Sequence, residues 1–178
     1  DAEQHFYQPF GSGLVKEAGW LNVPVYLEAA RTFFLSANSY EEREIQSDEL
    51  LAWLEQGDLV LQCTGWKPMH NSYWMDVPIH TNKGQVFTLR MDNLTTECMS
   101  SFGKFLIPMG NGLHRAGSTY EHGALDILPS SVADEILDDI AKSVKHSFSV
   151  IDHKAGFRPT TIDRLPVLGM HSEQMRLG

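Results

Sequence analysis

Gly110-Asn111-Gly112, set between Phe105–Pro108 and Leu113–Tyr120, constrains this chain more than any other feature. Glycine and asparagine enter the left-handed region at little cost, so the triplet reads as a tight reversal between two antiparallel strands. A third strand is legible upstream, over Lys83–Met91. There Phe87, Leu89 and Met91 fall on one face, and Val86, Thr88 and Arg90 fall on the other. Pro108 lacks an amide proton, which puts its strand at an edge or makes it end there. Ser131–His146 is the clearest helix, with Ile136, Leu137, Ile140, Ala141 and Val144 as its apolar stripe. Asp134 and Glu135 near its start and Lys142, Lys145 and His146 near its end match the helix dipole.

The remaining elements are shorter. Asn22 reads as the cap of a helix with Pro24 in its first turn and Leu27, Ala30, Phe33 and Phe34 as its stripe. Residues 11–22 read as a strand pair or a strand with a turn, and Tyr40–Ile45 as a strand. Ser47 reads as the N-cap of Asp48–Gln56, which Gly57 ends. Asp58–Cys63 is a short, mostly apolar run closed by Thr64-Gly65, the pattern of a buried strand ending at a ligand-facing turn. Residues 66–82 are irregular and aromatic-rich. Ser149–Phe157 is a strand that carries Arg158 at its end. The sum predicts an α+β fold, a mostly antiparallel sheet with helices packed on it.

A length of 178 residues suits one domain with a real core. A net charge of -9 without a basic stripe argues against nucleic acid. Cys63 and Cys98, the two cysteines, form neither a disulfide framework nor a CxxC site, and are expected to be reduced and structural. The eight histidines show no HxH or HExxH spacing, so no metal site is predicted. Residues 1–10 lack the basic start and apolar core of a signal peptide. No apolar run approaches the ~20 residues that span a bilayer, so a cytoplasmic protein is expected. The absence of an initiator Met and the close on Arg176-Leu177-Gly178 read as a fragment or a trimmed chain.

The chemistry concentrates at Ala155–Gly169. Pro159 pushes Arg158 toward extended backbone, and Gly156 allows close approach just before it. A guanidinium on a stiff, extended segment suits bidentate capture of a carboxylate. The alternative is a structural arginine paired with Asp152, Asp163 or a backbone carbonyl. Asp163 itself reads as a turn cap.

Residues 58–169 resemble the FAD-dependent D-amino-acid oxidase / glycine oxidase family in several ordered segments. Leu59–Trp66 resembles its apolar strand ending in a small-Thr/Ser-Gly turn, and Lys83-Gly84-Gln85-Val86 its Lys/Arg-Gly-Gln strand opening. Phe105–Pro108 through Ala116–Tyr120 resembles its hairpin, and residues 155–169 its Gly-x-Arg-Pro…Asp…Pro…Gly segment. Residues 1–57 match only loosely, mainly at Gly19-Trp20-Leu21-Asn22. The resemblance implies that Arg158 binds the substrate carboxylate, with Tyr120 and Phe105 on the pocket wall and Thr64 and Gly65 near the flavin nucleotide. Plain sheet packing remains the alternative for Phe105 and Tyr120. Phe105 stands where glycine-oxidase-like members often carry a tyrosine, which removes a hydroxyl from the pocket. The implied reaction transfers a hydride from an amino acid or related amine to the flavin, and no acid/base residue is demanded.

No GxGxxG phosphate-binding fingerprint occurs in the chain. The expectation is therefore a single substrate-binding-type domain over residues 1–178. Residues 58–66 and 155–178 would be return segments of a largely absent FAD-binding domain. FAD would bind the full-length protein and be missing from the fragment, which would be inactive alone and prone to self-association through its truncated face. The other reading is a non-catalytic ligand-binding or scaffold domain with the same fold and no cofactor.

Overall fold

The computed structural model describes residues 2–66, 72–74 and 77–178. They form two compact units: Asp1–Trp20 with Thr81–Arg158, and Leu21–His80 with Pro159–Gly178.

The first unit is built on one mixed-length sheet. Its strands are β1 (His80–Arg90), β2 (Ser100–Ser101), β3 (Phe105–Gly110), β4 (Leu113–Gly117), β5 (Glu121–His122) and β6 (Ser149–Thr160). The order is β2-β3-β4-β1-β5, and β6 also pairs with β1. The predicted hairpin forms, with Leu106 opposite Ala116 and Gly110 opposite Leu113. Gly110, Asn111 and Gly112 all have positive φ, the conformation the triplet was expected to adopt. Pro108 lies inside β3 but past β2, which pairs only with Phe105 and Leu106. Its missing donor therefore faces an uncovered edge.

The alternation on β1 holds. Phe87, Leu89 and Met91 join Leu106, Ala116, Ala133, Ile136, Ile140, Val144, Leu94 and Phe6 in one core. The helix is shorter than predicted: a single 3-10 turn, Ser131–Ala133, leads into Asp134–Ser143, and Val144 is already extended. Ile136 and Ile140 are fully buried, while Leu137 is only half-buried and Ala141 is exposed. Burial of each isoleucine contributes roughly 1.5–3 kcal/mol. A short helix, Ala2–His5, and the bridge from Phe6 to Val144 close the far end of this core.

The second unit keeps both predicted helices. Val23–Ser36 starts after Asn22 with Pro24 in its first turn, but the Asn22 side chain makes no cap bond. Ser47–Gln56 starts one residue earlier than expected, because Gln46 and Glu49 form a capping box. Gly57 ends it in the left-handed conformation. The strands expected at 11–22, Tyr40–Ile45 and Asp58–Cys63 do not form. In the last, only Val60 bridges, in parallel to Leu177. The Val60 and Gln62 amides donate to the carbonyls of Arg176 and Gly178, and Gly178 donates back to Val60. A strand pattern without a continuous neighbour gains no ladder. The small core here is Leu50, Leu54 and Leu177, with Val60, Tyr73 and Trp74 against it. Part of the irregular 66–82 stretch, including His70, lies outside the described residues; Ser72–Trp74 is a 3-10 turn. Cys63 and Cys98 are free thiols, and both are exposed rather than in a core.

Candidate functional site

The sheet of the first unit has two unlike faces. Odd positions of β1 face the helix; even positions, Gly84 and Val86 among them, face away. On that second face Phe105, Gly117 and Val86 form a row across β3, β4 and β1. A Cβ at Gly117 would come within 2.6 Å of the Phe105 ring and 2.8 Å of Val86 Cγ1, so the two side chains close over the glycine.

Arg158 reaches the same face from β6. Its Nη2 donates to Ser118 Oγ at 2.9 Å, and Nη1 and Nη2 both donate to the Thr119 carbonyl at 3.3 Å. Its guanidinium carbon lies 4.6 Å from the centre of the Tyr120 ring, a cation–π contact. A Cβ at Gly84 would overlap this guanidinium. Arg158 is half-buried and Tyr120 is 66% exposed. The backbone-carbonyl partner weighed for Arg158 is thus present. Asp152 pairs with Lys154, and Asp163 accepts the Leu165 amide. That amide and the Thr161 hydroxyl hold the Asp163 carboxyl below its ordinary pKa, as a turn cap should.

The carbonyl that grips Arg158 is itself fixed. Where β4 passes into β5, three residues, Ser118–Tyr120, face only Gly84 and Gln85 of β1. This extra residue is a bulge, a device that re-aims side chains next to sites. A buried network pins it. The Gln85 amide donates to Thr119 Oγ1 at 3.0 Å, and Thr119 Oγ1 donates to Glu121 Oε1 at 2.9 Å. Gln85 Nε2 donates to Glu121 Oε1 at 2.6 Å and to Ser130 Oγ at 2.9 Å, and the Ser130 amide returns a bond to Gln85 Oε1 at 2.8 Å. Lys83, nearly buried, donates to Asp126 at 3.3 Å and lies 3.9 Å from Glu121.

Arg158, Tyr120 and Phe105 therefore share one sheet face of the first unit. Phe105 sits on β3, in the row of Gly117 and Val86. Thr64 and Gly65 lie in the second unit, on an exposed turn with Gly65 at φ 66° and open space where a Cβ would be. Sequence reading gave no role to Gly84, Gln85, Ser118 or Thr119. An isolated glycine inside a strand pattern was the available signal, since it marks close approach. Among the described residues no group of His, Cys, Asp and Glu is placed to hold a metal ion, and no helix is long and apolar enough to cross a membrane.

The family model FAD dependent oxidoreductase (DAO) matches residues 3–177. The chain belongs to this family of flavin-dependent oxidoreductases. A tRNA 5-methylaminomethyl-2-thiouridine biosynthesis bifunctional protein MnmC from Saccharophagus degradans is 26% identical over 89% of this chain and 25% of its own length. The glycine oxidase of Pseudomonas putida is 26% identical over 65% of this chain and 33% of its own. The crystal structure of glycine oxidase from Geobacillus kaustophilus superposes with a TM-score of 0.51 at 23% identity, covering 56% of this chain and 28% of that one, and shows the shared fold. The chain spans about a quarter of the length of the MnmC relatives it matches. Several of the relatives it matches are named for tRNA 5-methylaminomethyl-2-thiouridine biosynthesis.

Proposed function

We propose that this chain is the substrate-binding portion of an FAD-dependent oxidoreductase that oxidises an amino acid or related amine. In this reading Arg158 holds the substrate carboxylate. One observation carries it: a planar cation is fixed by the Ser118 hydroxyl and the Thr119 carbonyl on a sheet face walled by Phe105 and Tyr120. A guanidinium is a planar fork that matches a carboxylate, and its bonds to Ser118 and Thr119 fix its orientation until a carboxylate takes the place of the Thr119 carbonyl. Phe105, without a hydroxyl, supplies an apolar wall only, and Tyr120 covers the cation.

FAD, when bound, accepts the hydride from the substrate carbon. The residues here orient that carbon, and no side chain is assigned a proton transfer. Thr64 and Gly65 are assigned to the cofactor. Their open turn admits close approach of a flat group, while the phosphate-cradling fingerprint is absent from this sequence. The backbone bonds that join Val60 and Gln62 to residues 176–178 support reading 58–66 and 155–178 as return segments of a FAD-binding domain. The apolar side chains left exposed in the second unit support self-association when that domain is missing. A cytoplasmic location and a small-molecule substrate complete the reading.

A second reading, a non-catalytic domain with the same fold, is favoured by the same hydrogen bonds, since Ser118 and Thr119 already engage the arginine. The test is Arg158→Lys in the full-length natural protein. Loss of the fork is expected to weaken a carboxylate inhibitor by about 1.5–3 kcal/mol. An unchanged inhibition constant would remove Arg158 from the substrate site.

A further inference from the structure

We infer that Gly84 is the positioning residue for Arg158: the bare Cα of β1 is the floor on which the guanidinium lies. The inference rests on the carboxylate reading of Arg158 and deepens it. A Cβ at Gly84 would collide with Nη2, Cζ and Nη1 together, so the flat end of the arginine side chain lies across that position and is the group that must move. Gly84 has an ordinary strand conformation, so its lack of a side chain answers a demand for space rather than for dihedral freedom.

The opposing wall is held by buried hydrogen bonds. Thr119, whose carbonyl grips both terminal nitrogens, is almost fully buried and bonded to Gln85 and Glu121. Gln85, next to Gly84 on the same strand, is fully buried and bonded to Ser130 in turn. Floor and grip therefore belong to one rigid assembly, and the arginine must fit the height they set. A methyl group at Gly84 forces the guanidinium off the sheet, out of reach of Ser118 and Thr119. A shift of roughly 1 Å in a positioning group costs on the order of a hundredfold in well-aligned sites. The Lys83-Gly84-Gln85 run thus reads as floor and anchor, with Gly84 under the cation and Gln85 tying the strand to the bulge.

The test is a double-mutant cycle in the full-length natural protein, with glycolate as the carboxylate probe and its Kd read by calorimetry. Arg158→Lys and Gly84→Ala should each weaken glycolate by about tenfold or more. The combination should lose little beyond Arg158→Lys alone, because a slim lysine makes no use of the floor. If Gly84→Ala lowers the yield of folded protein, the double variant, which lacks the colliding group, should recover it. Full additivity of the two losses would overturn the inference, as would a Gly84→Ala protein that binds glycolate within about twofold of the parent while Arg158→Lys is impaired. If Arg158→Lys itself leaves glycolate binding unchanged, the carboxylate reading fails first and takes the inference with it.

Discussion

The first unit buries Leu89, Leu106, Ala116, Ile136 and Ile140 almost completely, whereas the helix Val23–Ser36 of the second has no buried residue at all. Both helices carried apolar stripes in the sequence, at Ile136, Leu137 and Ile140 in one and at Leu27, Ala30, Phe33 and Phe34 in the other. In the first unit a strand face and a helix face were both present to meet. In the second, Phe33 is 65% exposed, and Leu59 and Leu61 of the unformed strand are 65% and 64% exposed. An apolar pattern specifies an element and the face it offers. Only the rest of the chain specifies what covers that face.

Ile140→Ala removes a fully buried side chain between helix and sheet and should cost about 2–5 kcal/mol in urea unfolding. A loss under about 1 kcal/mol would mean that this core is not the stabilising one.

A smaller effect concerns His114, whose burial on the core face of β4 holds its imidazole below the ordinary value of 6.5. Because the folded form resists protonation, its contribution is fully present above that ordinary value and is lost as pH falls through it. The urea midpoint should therefore drop between about pH 7.5 and about pH 5.5, and His114→Gln should flatten that slope. An equal slope in the variant would show that His114 is not the group responsible.

The smallest effect sharpens the contrast. Phe33→Ala, on the uncovered helix, should change the stability of this chain by no more than about 0.5 kcal/mol. A loss comparable to that of Ile140→Ala would show that the helix is covered after all.

Much of the first unit was legible because its signals are local and mutually consistent. The Gly110–Gly112 reversal, the alternation from Phe87 to Met91 and the stripe at Ile136 and Ile140 each demand the same sheet-and-helix arrangement. The strands expected at 11–22, Tyr40–Ile45 and Asp58–Cys63 failed because strand propensity is realised only through a neighbour. At the site, Arg158 was legible from its Pro159 context and from the family pattern. Its partners were not. Ser118 and Thr119 reach it through a one-residue bulge, and no periodicity announces an irregularity of that kind. Gly84 was visible as a glycine inside a strand, yet only the geometry shows that the group above it is the guanidinium.

Arg158 is proposed to hold a substrate carboxylate so that the neighbouring carbon faces a bound flavin. The most direct measurement is a glycolate titration of the full-length natural protein, followed through the visible absorption of its bound flavin. A saturable change in the flavin spectrum is expected, with its midpoint at higher glycolate in Arg158→Lys. A protein without flavin, or a flavin spectrum indifferent to glycolate, would contradict it.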